Sequence, residues 1–252
     1  MSALIGERWE PPTPSLNKTT EELTVHPKVL RGAHPIEQQT MHDAGLEAFS
    51  NSSPESHTVV HHIATLNINA TYLITSPYTD LTNQLNLATL DPYTALFALA
   101  LTFLAPSRPD YATASYASAF NWPTVFSALR DLCHRHSLPW QRHEFHAVIF
   151  RSKRRRDFDP DLITQLDRES HREACESGGL LKYWFGSVDG EMRNLATCLW
   201  RTREDAVAGG RGPWHCRARA AAREIYESIE FQTHRLVVDA GAHEWRFEEY
   251  RE

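Results

Sequence analysis

The stretch 178–206 constrains the fold of this chain more than any other, because it has the pattern of a β-hairpin followed directly by a helix. Two apolar segments, 180–186 and 194–200, flank a short polar connection. The connection contains Asp189-Gly190, a dipeptide that supplies positive φ in hairpin turns. The stretch therefore predicts two neighbouring antiparallel strands in the second half of the chain.

Helices and strands alternate on both sides of this hairpin. The predicted elements are, in order, a strand at 143–151, a helix opened by Asp159-Pro160, the two hairpin strands, a helix opened by Gly212-Pro213, and strands at 232–238 and 244–250. Residues 143–239 accordingly have the order β-α-β-β-α-β. This is the order of the ferredoxin-like unit, an antiparallel sheet with two helices on one face.

The predicted strands are apolar on both faces, whereas a sheet with one solvated face alternates apolar and polar residues. On the first strand His146, Val148 and Phe150 share one face, and apolar residues between them share the other. Two helices can cover only one face. The other face is therefore expected to pack against residues 57–140, to pack against a second subunit in a homodimer, or to line a ligand cavity.

The first half of the chain carries its own helix and strand patterns. Residues 58–75 are rich in β-branched residues and predict one long strand or two short ones. Asp91-Pro92 predicts the start of a helix that runs to about Leu104 and is apolar all round, which is typical of a buried helix. Asn121 is predicted to cap a second helix.

Residues 1–56 differ from the rest, since they are rich in Pro, Ser, Thr, Asn and Glu and have little periodicity. Such a segment buries too little apolar surface to offset the entropy of ordering, so we expect a partly disordered arm. Residues 57–252 are expected to form a single globular α+β unit. Its second part, 143–239, is the ferredoxin-like βαββαβ half, and an N-terminal α/β half packs on it.

Composition narrows the classes of function. The net charge of −6 argues against a general nucleic-acid binder, which needs a basic surface. Four cysteines without a C-x-x-C pair are typical of free thiols in a reducing compartment. The longest apolar run is too short to span a bilayer and a signal-peptide pattern is absent, so we expect a cytoplasmic protein without membrane contact. Hydrolase, nucleotide-binding and NAD-binding motifs are also absent from the sequence.

Several long motifs are specific enough to identify relatives: LDPYTALFALALTFLAP, DYATASYASAFNW, FRSK, SHREACESGGLLKYWFG, RNLATCLWRTREDA and GPWHCRARAAAREIY. They resemble those of a family of uncharacterised fungal proteins, and the resemblance covers roughly residues 57–248. The resemblance implies no particular activity, because that family has no established general activity.

The second half is also similar to the dimeric α+β barrel superfamily, through a strand ending in Trp200, the sequence 204–206 and a helix with Trp214 and His215. That superfamily includes antibiotic-biosynthesis monooxygenases, EthD-like proteins and haem-degrading monooxygenases. The resemblance implies a cavity between sheet and helices or between paired barrels, and metal-free chemistry on aromatic substrates. Haem-degrading members use an Asn, a Trp and a helix His. Asn194, Trp200 and His215 are of these types, at a different spacing.

Three polar residues are candidates for catalysis. His171 is predicted at the edge of the packed face of its helix, where an imidazole can act as a general base, or where it is simply capped or solvent-facing. His215 follows Trp214 near the start of the next helix, and its functional and structural interpretations are equally open. Asn194 begins an otherwise apolar strand, and a buried amide must find partners, either in a turn backbone or in a ligand oxygen.

Four further residues are candidates for substrate binding. Tyr183, Trp184 and Trp200 suit stacking on a flat substrate, although ordinary core aromatics of a hairpin have the same pattern. His146, which shares a strand face with Val148 and Phe150, is the fourth candidate. Since His143 and His146 fall on opposite faces of one strand, they do not converge on a metal, and we expect neither a metal site nor a cofactor.

These observations lead to two hypotheses for function. The first is a metal-independent small-molecule enzyme of fungal secondary metabolism. It would be a monooxygenase, cyclase or isomerase that acts on an aromatic or polyketide-like substrate in a cavity on the sheet. The alternative is a non-catalytic ligand-binding, dimerisation or scaffold protein. A sheet packed solidly on both faces would favour the alternative.

Overall fold

The computed structural model describes residue 66 and residues 68–250. The arm predicted at 1–56 and most of the first part of the strand predicted at 58–75 lie outside the described residues. The strands are β1 (Tyr72–Leu73), β2 (Leu85–Asn86), β3 (His143–Arg154), β4 (Leu180–Phe185), β5 (Arg193–Trp200), β6 (Tyr226–Val238) and β7 (Trp245–Glu249). The α-helices are α1 (Pro92–Ala100), α2 (Tyr116–Ala119), α3 (Trp122–Arg135), α4 (Pro160–Ser177), α5 (Arg203–Gly209) and α6 (Pro213–Ile225).

Five strands form one antiparallel sheet in the order β4-β5-β3-β6-β7. Helix α4 connects β3 to β4, and α6 precedes β6, so strands β3 to β6 have the ferredoxin-like order. β7 extends the sheet at one edge. The α+β class and the βαββαβ half are therefore confirmed. The short helix α5 lies between β5 and α6.

The predicted helix starts follow from aspartate caps. The Asp91 carboxylate accepts hydrogen bonds from two backbone N–H groups in the first turn of α1, and Asp159 does the same for α4. A proline follows each cap, and Gly178 ends α4 with a φ of 84°. Among the described residues no helix is both long enough and apolar enough to cross a membrane.

The front face of the sheet, the side of Phe145, Ala147 and Ile149, packs against the N-terminal half of the same chain. Phe97 of α1 stacks on Phe145 with ring centroids 4.2 Å apart, and the α1 residues from Thr94 onward are buried. Helix α3 belongs to the same core. Of the three covers expected for this face, the N-terminal half of the chain is therefore the one observed.

The back face of the sheet, the side of His146, Val148 and Phe150, packs against α4. Ala174 and Cys175 of this helix contact a second apolar cluster that includes Val148. Helix α6 runs beside α4 and contacts it along its length. The sheet is thus covered on both faces at β3, whereas on β6 the back-face residues Ile229 and Phe231 remain exposed. Helix α4 is the element that positions side chains over the back face.

The hairpin connection differs from the prediction. Gly190 does not have a positive φ, whereas Met192 does, with a φ of 64°. The Asp189 carboxylate shapes the connection instead, because it accepts hydrogen bonds of 2.9 Å from the backbone N–H groups of Glu191 and Arg193. A connection longer than two residues has no need of the tight turn that Asp-Gly provides.

Asn121 also differs from the prediction. It precedes α3, but its side chain makes no hydrogen bond to that helix. The side chain accepts a hydrogen bond from the Ala105 N–H at 2.8 Å and donates one to the Phe103 carbonyl at 3.0 Å. Asn121 therefore ties the end of the α1 segment to the start of α3.

Strand β6 is longer than predicted. β6 begins at Tyr226, directly after α6 ends at Ile225, and pairs with β3 as far as Arg154. Ile229 continues the helical spacing of Ala218, Ala222 and Ile225 in the sequence, but it lies in β6 and is 42% exposed. The helix pattern continued into the strand because the chain changes conformation there without an intervening loop.

Arg151 attaches the N-terminal half to the front face. Its guanidinium donates hydrogen bonds to the carbonyls of Ala112 and Ala114, at 2.5 and 2.6 Å. Desolvation lowers the pKa of Arg151, which shows that the cation is held away from bulk water. These bonds fix the loop between α1 and α2 against β3.

Replacing Arg151 with Met should lower the free energy of unfolding by about 2 kcal/mol, because the partly buried carbonyls lose a charged donor. Chemical denaturation measures this change. Arg155→Met is the control, since Arg155 pairs with exposed Asp157 and its loss should cost less than about 0.5 kcal/mol. Equal effects of the two substitutions would show that the loop does not depend on Arg151.

Candidate functional site

The candidate site lies under α4, on the back face of the sheet. Asp167, His171 and Cys175 follow one another at intervals of four residues, so they share one face of this helix. Two tyrosines reach the same place, Tyr183 from β4 and Tyr78 from the segment between β1 and β2. Together these five residues form what we call the inner cluster.

The centre of the inner cluster is the carboxyl group of Asp167. The Tyr183 hydroxyl donates a hydrogen bond to its Oδ1 at 2.5 Å, and the Tyr78 hydroxyl donates one to its Oδ2. Desolvation raises the pKa of Asp167, although both hydrogen bonds act to lower it. Desolvation, together with the nearby Asp167, also raises the pKa of each tyrosine. The three groups therefore form one hydrogen-bonded unit in a poorly solvated space.

His171 lies beside this carboxyl group and is only 4% exposed. Its Nδ1 is 2.9 Å from Oδ1 of Asn83, so Nδ1 carries the proton and Nε2 keeps a free electron pair. Desolvation, with a smaller contribution from His215, lowers the pKa of His171 to about 4. The imidazole is therefore neutral at physiological pH.

Aromatic rings enclose His171 on two sides. The ring centroids of Tyr78 and Tyr183 lie 5.2 and 5.3 Å from that of His171. The Cys175 sulfur is 3.7 Å from Nδ1 and 3.8 Å from Nε2. Burial raises the pKa of Cys175 to about 12, so this sulfur is a neutral thiol.

His215 pairs with Glu173 where the end of α4 meets the start of α6. Its Nδ1 is 3.0 Å from Oε2 of Glu173. The Glu173 carboxylate also accepts hydrogen bonds from the backbone N–H groups of Trp214 and His215, at 2.7 and 3.1 Å. Desolvation opposes ionisation of Glu173, but these bonds outweigh it and the pKa is lowered. Glu173 thus caps α6, whose own N-cap residue, Gly212, has no side chain.

Two open grooves flank the helix pair. One, of about 420 Å³, lies between the end of α4 and the start of α6, and Glu173 and Trp214 line it. The other, of about 500 Å³, lies along α4 and α6, where Leu166 and Arg217 contribute. Within residues 68–250, no group of three or more His, Cys, Asp or Glu side chains is arranged to hold a metal ion.

The structure brings some of the predicted site residues together. Tyr183 and His171 are neighbours in the inner cluster. Trp200 and His146 lie on the same back face, near α5. Gly209 of α5 packs so closely on Trp200 that a Cβ atom added there would lie 2.3 Å from the ring. His146 Nδ1 is 2.6 Å from the Tyr250 hydroxyl.

Two predicted residues lie elsewhere. Trp184 points to the front face, where it makes edge contacts with Tyr111 and Phe120. The Asn194 amide is buried, but its Oδ1 accepts a hydrogen bond from the adjacent Leu195 N–H at 2.8 Å. The contact seen for Asn194 is thus with the backbone of its own strand, β5. The three aromatic residues predicted to contact a substrate are divided between the two faces of the sheet.

Sequence reasoning missed Asp167, Glu173 and Tyr78. The four-residue interval from Asp167 to His171 on a predicted helix was a usable indication, since such residues share a face. Glu173 lies on the side of α4 that meets α6, which a sequence pattern does not identify without the helix pairing. Tyr78 comes from a loop that is distant in sequence and that carries no periodic pattern.

Stability should fall as the pH drops from 6.5 to about 4. The unfolded chain gains protons at His171 and His146 in this range, whereas both folded histidines have pKa values lowered to about 4 by burial. His171→Asn should reduce the pH slope of the unfolding free energy, removing up to about 3 kcal/mol of pH dependence. The raised pKa of Asp167 contributes to the pH slope with the opposite sign. Asp167 is present in both the wild type and His171→Asn, so the difference between their slopes reports His171.

Urea denaturation at several pH values provides the measurement, and His134→Asn on the exposed face of α3 provides the control. The control should keep the wild-type slope. A His171→Asn slope identical to the wild type would mean that folding does not lower the pKa of His171.

Structural comparison gives neighbours that resemble part of the chain. A putative antibiotic biosynthesis monooxygenase from Nitrosomonas europaea matches at 16% identity and a TM-score of 0.31, over 35% of this chain and 94% of that chain. The protein Rv0793 from Mycobacterium tuberculosis matches at 19% identity and a TM-score of 0.32, over 35% of this chain and 91% of that one.

Sequence comparison gives a fuller match. The UPF0643 protein PB2B2.08 of Schizosaccharomyces pombe is 32% identical over 183 residues, which are 70% of this chain and 83% of that protein. The model of the PB2B2.08-like family matches residues 74–249, which include the inner cluster and the whole five-stranded sheet. The chain belongs to the PB2B2.08-like family.

Proposed function

We propose that this protein is a small-molecule enzyme that moves protons on an aromatic or polyketide-like substrate without a metal ion, in the manner of an isomerase, a cyclase or a monooxygenase. The inner cluster is its active centre. The observation that carries the proposal is the desolvated Asp167 carboxyl, bonded to two phenols and one helical turn from the neutral imidazole of His171. Desolvated titratable groups of this kind are typical of catalytic sites.

The proposed chemistry is abstraction of an acidic C–H proton. His171 Nε2 accepts the proton, and the C–H electron pair moves onto the neighbouring carbonyl oxygen of the substrate, which becomes an enolate. The Asp167 carboxyl group passes its proton to this oxygen, and the carboxylate that remains, held by the Tyr183 phenol O–H, stabilises the imidazolium cation. A weak base suits a carbon flanked by two carbonyls, as in a polyketide chain.

Three reaction types share this first step. Return of the proton to a different atom completes an isomerisation. Attack of the same carbon on a second carbonyl gives an alkoxide that takes the proton back from His171, which completes a cyclisation. Reaction of that carbon with dioxygen and the same proton gives a hydroperoxide, and loss of water from the hydroperoxide leaves a new carbonyl group, which completes a monooxygenation. Tyr183 and Trp200, which share the back face, are the proposed contacts for the flat part of the substrate, and the Glu173–His215 pair lies at the outer end of the site.

The alternative is a non-catalytic ligand-binding or scaffold protein. Side chains of the protein pack on both faces of β3, and the two grooves beside α4 and α6 are open to solvent. The absence of an enclosed substrate cavity among these features of the described residues favours this alternative. The two functions differ in one respect. Only an enzyme accelerates the transfer of a proton from a bound carbon acid.

Deuterium incorporation tests the proposal without knowledge of the natural substrate. Wild-type protein in D2O should accelerate exchange at the central carbon of an aromatic 1,3-diketone such as dibenzoylmethane, followed by NMR. His171→Asn should reduce the protein-dependent rate by about 100-fold or more, because general bases contribute on this scale.

The matched control is His134→Asn, which should exchange deuterium at the wild-type rate. Circular dichroism establishes that each variant is folded. If wild-type protein binds the diketone but leaves its exchange rate at the solvent value, proton transfer is wrong and the ligand-binding alternative is supported.

A further inference from the structure

A short segment of the N-terminal half closes over the inner cluster. Residues 76–83, which we call the strap, form the loop between β1 and β2. Its neck is held by the pairing of Leu73 with Leu85, and the Thr75 carbonyl accepts a hydrogen bond from the Tyr183 N–H at 3.0 Å. The ends of the strap are therefore fixed to the rest of the chain, as in a compact surface loop.

Three polar contacts hold the strap on α4. The Tyr78 hydroxyl bonds to Asp167, Arg168 pairs with Asp80 at 2.5 Å, and the Asn83 side chain bonds to His171 at 2.9 Å. Both members of the Arg168–Asp80 pair are about half exposed, so the pair contributes little stability.

The strap itself is mostly on the outside of the protein. Pro77, Thr79 and Leu81 are exposed, and Leu81 retains 60% of its accessible surface. A segment with few buried apolar contacts opens locally at a lower free energy than the whole fold. Lifting the strap would uncover Asp167, His171 and Tyr183 and leave the five-stranded sheet in place.

The Tyr78 side chain occupies the position that a substrate needs. Its hydroxyl donates a hydrogen bond to one oxygen of Asp167, while the Tyr183 hydroxyl donates one to the other oxygen. Its ring lies 5.2 Å from the imidazole of His171, at an interplanar angle of 48°. A phenol is thus already recognised at this place by an acceptor for its hydroxyl group and by an aromatic neighbour for its ring.

We propose that the space held by Tyr78 is a subsite for the phenolic or enolic hydroxyl of a flat ligand, which replaces Tyr78 on Asp167 when the strap lifts. The inference rests on the proposed function, since it names the ligand chemistry of the same cluster. It also explains how an active centre is enclosed in the closed state, because the chain itself fills the subsite.

The enclosing strap has a predictable effect on affinity. A ligand that binds only the open state binds more weakly by the fraction of molecules that are open. Removing the Tyr78 ring eliminates the competing occupant. A ligand without a hydroxyl group leaves the Asp167 oxygen without a donor, which is unfavourable in a poorly solvated place.

The test uses p-cresol, the side chain of tyrosine as a free molecule, and toluene, which lacks its hydroxyl group. In Tyr78→Ala, isothermal titration calorimetry should give a p-cresol affinity at least about tenfold higher than that of toluene. Adding Asp167→Asn should reduce this preference to less than about threefold.

Tyr93→Ala is the matched control, because Tyr93 is a partly buried tyrosine that contacts Trp140 and His143, away from the inner cluster. A cavity there should show no more than about a threefold preference for p-cresol. Equal binding of p-cresol and toluene to Tyr78→Ala, or no binding by the folded variant, would overturn the subsite.

Wild-type protein provides a second measurement that does not depend on the folding of Tyr78→Ala. Saturating p-cresol should accelerate amide hydrogen exchange in residues 76–83, whereas toluene should leave it unchanged. Unchanged exchange in both cases overturns the lifting of the strap. Because this experiment reports binding alone, a positive result with no deuterium incorporation would refute the proposed catalysis and keep the subsite.

Discussion

Removal of both faces of the central strand from water is the constraint on which this structure depends. β3 has a strand on each side and helices above and below, so its apolar side chains are buried in two separate clusters. Burial on this scale is the main favourable contribution to folding. The N-terminal half is therefore part of the same core, since Phe97 of α1 stacks directly on Phe145.

The same constraint determines the chemistry of the polar groups. A charged or polar side chain between the layers must find its partners within the protein. Arg151 finds backbone carbonyls on the front face, and Asp167 finds two phenols on the back face. Arg151 holds the loop between α1 and α2 on the sheet, whereas Asp167 lies one helical turn from the neutral imidazole of His171. That difference in neighbours makes the back face the candidate site.

Helix α4 links the fold to this site. Its capped start at Asp159 and its end at Gly178 set its length, and its interval of four residues aligns the acid, the imidazole and the thiol. The other members of the cluster arrive from β4 and from the strap. A single helix thus presents the reactive groups, while two distant segments close the space around them.

Much of the fold follows from local patterns. The aspartate caps, the largely apolar run of β3 and the hairpin pattern predicted the element order, and that order is typical of a ferredoxin-like sheet. Boundaries were less predictable where the chain changes conformation without a loop, as at Ile225 and Tyr226. Turn chemistry was also missed at Asp189, because a carboxylate that bonds nearby N–H groups replaces the conformational role assigned to Gly190.

The site was only partly predictable. The sequence by itself determined that the central strands are apolar on both faces and that His171 and Tyr183 belong to elements of one unit, because hydrophobic periodicity and caps are local properties. Only the tertiary structure decided which segment covers each face, and that Tyr78 and Asn83 meet α4. These contacts join residues far apart in sequence, and the free energy that selects them comes from packing and desolvation, which no local pattern encodes.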